Sequence, residues 1–140
     1  MLKRSIFVLV LLSLVLAACG GGGGGQAPAG NADNGKALFA KSAIGKSGAP
    51  GCATCHSLEP GKTLVGPSLA GMATDAAGAF KEDEYKGKAK SAQEWLREQI
   101  VDPNSETVEG FQPNIMPQNY SKDLAEQEIN DLVAYMLTLK

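Results

Sequence analysis

Two cysteines and the chain's only histidine stand in five consecutive residues, Cys52-Ala53-Thr54-Cys55-His56. C-x-x-C-H reads as a c-type haem attachment. Two intervening residues let both sulfurs reach the vinyl groups on one porphyrin edge as thioethers. The next residue then falls under the ring, where an imidazole binds iron. Other uses of the pair fit less well. A thioredoxin-like dithiol wants a βαβ setting, and no strand pattern surrounds it. A zinc site needs a fourth ligand, and the third cysteine, Cys19, lies outside the folded region. One histidine in 140 residues also excludes a bis-histidine haem and leaves little for hydrolytic catalysis. The 13 Lys+Arg against 15 Asp+Glu, with a pI near 5.4, argue against a nucleic-acid partner, which would need a basic stripe.

The N-terminus explains the third cysteine. Lys3 and Arg4 precede an apolar run from Ile6 to Leu16, the pattern of an export signal. The stretch from Ser5 to Ala18 is 14 residues, short of the ~20 that a spanning helix needs. It ends Leu16-Ala17-Ala18-Cys19, which resembles the lipobox of bacterial lipoproteins. That resemblance implies a signal peptide over 1–18 and a lipidated Cys19 at the new N-terminus. The remaining 122 residues carry 11 basic and 15 acidic side chains, a balance of −4. Residues 19–31, with glycine from Gly20 to Gly25, bury no apolar area and read as a flexible tether. Its root-mean-square reach is ~20 Å. The folded domain is expected over 32–140.

Within that domain the spacing predicts helices and no sheet. Asp33–Ser42 reads as a short helix capped by Asn31 or Asp33, with Gly35, Leu38, Phe39 and Ser42 on one face. Ser91–Val101 opens on a capping-box pattern, Ser91 to Glu94, and Pro103 ends it. Ser121–Leu139 places Ala125, Ile129, Leu132, Val133 and Met136 on one stripe, with Ser121 as cap. Met72–Lys90 reads as a loop of mixed charge: either a solvated segment or a docking patch for a redox partner. The domain is therefore expected to be all-α, with three or four short helices and long loops. So thin a core needs a large apolar body to pack on, and without haem the chain is expected to be largely unfolded.

The second axial ligand must come from further along the chain. Met72, Met116 and Met136 are the candidates. Met136 falls on the core stripe of the last helix, and Met72 follows Gly66-Pro67-Ser68-Leu69-Ala70-Gly71 as a packing residue. Met116 sits between Pro113 and Pro117, in a loop stiff enough to hold a weak thioether on iron. A His56/Met116 pair fills both axial sites and raises the reduction potential. That favours electron transfer over chemistry at an open iron. Trp95 reads as packing at the haem edge, and no role is assigned to Tyr120.

Over 33–140 the chain resembles the monohaem class I cytochromes c. The marks are a helix with Gly35 and Phe39, the haem motif, Gly66-Pro67-Ser68-Leu69, Met116-Pro117, and a last helix with Leu132-Val133-Ala134-Tyr135. The resemblance implies a small cytochrome c fold wrapped around one covalent haem c. It implies that Gly35 and Phe39 cross against Leu132 and Tyr135. It also implies that the Pro67 carbonyl accepts a hydrogen bond from the second nitrogen of His56. The segments Trp95–Asn104 and Gly110–Pro117 are similar to the cytochrome domain of some haem-copper oxidase subunits II and to the monohaem lipoprotein subunit of alternative complex III. The expected function is single-electron transfer at the periplasmic or outer face of a bacterial membrane, anchored by lipid, with respiratory or photosynthetic redox partners. The chain is not expected to be an enzyme itself. The alternative is a haem enzyme or gas sensor with an open axial site.

Overall fold

Asn31 caps the first described helix in a computed structural model that describes residues 29–140. Its backbone is extended, and its Oδ1 accepts the amides of Asp33 at 2.9 Å and Asn34 at 3.0 Å. Two of the donors orphaned at a helix start are thereby satisfied. Helix α1 (Ala32–Phe39) follows, with Gly35, Leu38 and Phe39 turned inward. It stops three residues short of the predicted end, and Ser42 lies exposed beyond it. The chain instead forms a hairpin of two very short strands, β1 (Ala43–Ile44) and β2 (Ala49–Pro50), antiparallel with Ile44 opposite Ala49. Strands of two residues are too short to show alternation. Gly45 and Gly48, at φ 72° and 67°, make the turn between them.

The 72–90 stretch is corrected by the structure: it opens with a helix, α2 (Met72–Ala79). No side chain caps it, and Ala76 alone is buried. It forms on alanine content rather than on an apolar stripe, so periodicity does not reveal it. The rest of the stretch is tied to helix α3 (Ala92–Val101). The Tyr85 hydroxyl donates to the Glu98 carboxylate and accepts the Ala89 amide at 2.8 Å. Ser91 caps α3 by accepting the Glu94 amide at 3.2 Å. Glu94 reaches back one residue further than a capping box requires, to the Lys90 amide at 2.7 Å.

The last predicted helix is two helices, α4 (Tyr120–Asp123) and α5 (Glu126–Met136). Leu124 is extended at ψ 144° and buries its side chain. The amide of Ala125, which caps α5, donates to Glu128 Oε2 at 2.8 Å. Ser121 therefore lies inside α4 and caps nothing. Helix α5 carries three of the four most deeply buried large side chains, Ile129, Leu132 and Val133; the fourth is Leu96 on α3.

The most extensive helix contact is between α1 and α5. A Cβ on Gly35 would stand 1.9 Å from the Asp131 carbonyl oxygen, so only glycine permits this approach. One turn on, Phe39 and Tyr135 meet edge to face with centroids 5.5 Å apart. Residues 29–31 continue the contact. The Asn31 amide donates to Asp131 Oδ1 at 2.7 Å, and Gln127 donates to the Ala29 carbonyl at 3.1 Å. The signal segment, Cys19 and the glycine run lie outside the described residues. Among the described residues no helix is long and apolar enough to cross a membrane.

Candidate haem site

The C-x-x-C-H motif folds as one 3₁₀ turn, Cys52–Thr54, leading into Cys55 and His56. The Cys52 carbonyl accepts the amides of Cys55 at 3.1 Å and His56 at 2.9 Å. The Thr54 hydroxyl returns to the Gly51 carbonyl at 2.6 Å. Both sulfurs and the imidazole are thus brought to one wall by the motif's own backbone.

The next segment turns back on the histidine. The Gly66 amide bonds to the Cys55 carbonyl at 2.9 Å, and the Leu69 amide to the Ser57 carbonyl at 2.8 Å. Between these two ties Pro67 presents its carbonyl to His56, whose Nδ1 donates to it at 2.9 Å. That bond assigns the proton to Nδ1 and leaves Nε2 without a protein partner among the described residues. Burial pulls the imidazole below its ordinary pKa, and the Pro67 carbonyl opposes this less strongly. The ring is therefore neutral near pH 7, the form that ligates metal. Gly66 lies against it. A Cβ there would come within 2.5 Å of His56 Cε1 and 2.9 Å of Nδ1.

His56 and both cysteines line a large cleft whose empty volume, open mouth included, is about 1250 Å³. Its walls are mostly apolar, with Leu69, Leu96, Ile100 and Leu132 among them. Burial pushes the Cys52 thiol up to about 11, with smaller opposing and reinforcing effects from its own backbone amide and from Cys55. The thiol is held neutral. Two thiols, a neutral imidazole and an apolar cleft fit a covalent haem c. They do not fit a bare metal ion: no cluster of three or more His, Cys, Asp or Glu is found among the described residues.

All three candidate methionines line this cleft. Met136 is buried on α5, Met72 opens α2, and Met116 stands in the long loop between α3 and α4. Trp95 lines it too, its indole nitrogen donating to Glu106 Oε2 at 2.8 Å. Glu106 also receives Gln99 Nε2 at 3.3 Å and sits on the cleft wall. Nothing in the sequence around Glu106 marks a carboxylate for an apolar cleft. Tyr120 is buried, and its hydroxyl donates to the Pro50 carbonyl at 2.6 Å, joining α4 to the strand before the haem motif. Burial foremost, then the two nearby cysteines and Asp123, push this phenol up to about 12. Its hydroxyl therefore stays a donor throughout the physiological range.

The family model for cytochrome c matches residues 32–140, the stretch from the first residue of α1 to the end of the chain.

Proposed function

The chain belongs to the cytochrome c family and carries haem c, and from that premise we propose a membrane-tethered, monohaem carrier of single electrons. In this reading Cys52 and Cys55 hold the porphyrin, and His56 and Met116 are the axial ligands. Cys19 bears the lipid. The bound group supplies a one-electron couple at iron. The residues around it bind it, fix its ligands and keep water away.

The observation that carries the reading is the pairing of a neutral, tautomer-fixed His56 with a methionine-lined apolar cleft. Met116 is preferred over Met72 and Met136 on the character of its segment. Proline on both sides narrows the backbone choices of the loop, and Met116's carbonyl accepts Gln118 Nε2 at 2.7 Å. Met136 is committed to the helix core, and Met72 begins a helix close in sequence to the motif. A thioether from Met116 would fill the position opposite His56 and so would leave none open to oxygen or peroxide.

At the cleft mouth Val65, Val108 and Ile115 are exposed. These side chains form an apolar rim across which a donor or acceptor protein can approach the cofactor edge. Partners are accordingly expected to be redox proteins of a respiratory or photosynthetic chain. The chain serves either as a shuttle in the membrane plane or as a subunit of a quinol-oxidising complex of the alternative complex III kind. Its place is the periplasmic or outer face of the membrane. The lipobox and the short signal run support that location.

A visible spectrum tests the ligand pair. The ferric protein is expected to show a methionine–iron charge-transfer band that is lost in Met116→Ala and kept in Met72→Ala and Met136→Ala. A high-spin iron that binds carbon monoxide without mutation would overturn the reading in favour of a haem enzyme or sensor. Purification in mild detergent separates shuttle from subunit: a shuttle comes away alone.

A further inference from the structure

Asn104 lies 12 residues before Met116 in sequence, yet its side chain touches the loop on both sides of it. Its Nδ2 donates to Asn114 Oδ1 at 2.8 Å and to Gln118 Oε1 at 3.0 Å. Its Oδ1 accepts the Asn114 amide at 2.9 Å. Gln118 passes the connection inward by donating to the Met116 carbonyl. One primary amide thus uses both donors and its acceptor to close a ring across residues 114–118.

The loop has reason to need it. Asn114 has φ 65°, the one non-glycine residue in the left-handed region among the described residues. Asparagine tolerates that region better than most side chains, but it remains a costly conformation. Pro117 has no amide to donate, and Gln118 and Asn114 are both exposed. Among the described residues little else fixes this turn.

We propose that Asn104 is a positioning residue for Met116, a clamp that holds the loop closed and so sets how readily an outside ligand displaces the thioether. The inference rests on Met116 being the axial ligand. Displacement requires the loop to swing away from iron. Each opening breaks the ring of amide bonds, so the clamp lowers the open population without touching the metal. Removing it leaves the resting coordination intact and raises the fraction of time the sixth position is accessible.

The test is imidazole binding to the ferric holoprotein, read as loss of the methionine–iron band. Asn104→Ala is expected to keep the band at rest and to bind imidazole about tenfold more tightly. Tenfold corresponds to ~1.4 kcal/mol, about the net value of one good hydrogen bond. Asn104→Asp keeps the acceptor for the Asn114 amide and loses both donors, so it is expected to fall between. Val133→Ala, a core variant on α5, controls for general loosening. It is expected to lower the unfolding midpoint while leaving imidazole affinity within twofold of the parent. Parent-like affinity in Asn104→Ala would overturn the clamp, and so would an equal rise in Val133→Ala. Met116→Ala is run alongside. If that variant keeps the band, the ligand reading fails and the clamp falls with it. If it loses the band while Asn104→Ala changes nothing, only the clamp fails.

Discussion

His56 is held by one contact and crowded by another: the Pro67 carbonyl at 2.9 Å fixes one ring nitrogen, and the Gly66 backbone lies too close to the ring to carry a side chain. The second contact is steric. In Gly66→Ala the new methyl would meet Cε1 at 2.5 Å, and the ring cannot step aside without losing the Pro67 bond. Overpacking of this kind costs about 1–3 kcal/mol. The variant holoprotein is therefore expected to unfold at lower denaturant by that amount, and an unchanged midpoint would show that the ring gives way freely. At this scale the sequence is legible where chemistry needs a rare residue type. The cysteines and histidine of the motif declare themselves because few other arrangements use them. Gly66 declares only that something is tight or turned. Asn104, Glu106 and Tyr120 declare nothing, since their partners are 10 to 70 residues away.

Among the elements, α5 is the one on which the others are assembled, and its crossing with α1 is sealed by Asp131. Burial would raise this carboxyl. The Asn31 amide, the Gln127 side chain and the Asn34 side chain outweigh that and hold it below the ordinary carboxylate value. The sign follows from linkage: a pKa lower in the folded state gives stability that is fully present above the unfolded value, ~3.9, and is lost as pH falls through the folded one. The contact of residues 29–31 with α5 is therefore expected to weaken only in acid, below about pH 4. Denaturant unfolding followed from pH 6 to pH 2 checks it: Asp131→Asn should flatten part of the acid limb, and an identical limb would sink the assignment. The crossing itself is what the resemblance to class I cytochromes c implies for Gly35 and Phe39 against Leu132 and Tyr135; helical spacing alone does not specify it. The break between α4 and α5 is not legible, because neither proline nor glycine marks it. It arises where Leu124 turns inward and Glu128 captures the Ala125 amide. Helix α2 is illegible in the sequence for the opposite reason, having helix-forming residues but almost no buried face.

For the whole molecule, the core is arranged around a space. Leu96 on α3 and Leu132 on α5, both almost fully buried, belong to the lining of the cleft as well as to the contacts between helices. Such walls cannot be wetted cheaply, since a buried water wants several polar partners. They cannot be left dry either. At about 24 cal/mol per Å³ of residual cavity, leaving the cleft's roughly 180 Å³ of internal space unfilled costs ~4 kcal/mol. A domain of this size has a total stability of only about 5–15 kcal/mol. Loops of this length, joined by helices of 4 to 11 residues, have few other contacts to offset the loss. The group that fills the cleft is thus part of the folding free energy, and attaching it through Cys52 and Cys55 keeps it from dissociating. The double variant Cys52→Ala/Cys55→Ala, produced without attached haem, is expected to lose most of its helical circular dichroism and its cooperative thermal transition, while the holoprotein keeps both. A haem-free chain with holoprotein-like helicity and a sharp transition would mean that the helices close over the cleft unaided, and the cofactor would then be a guest of the fold rather than its centre.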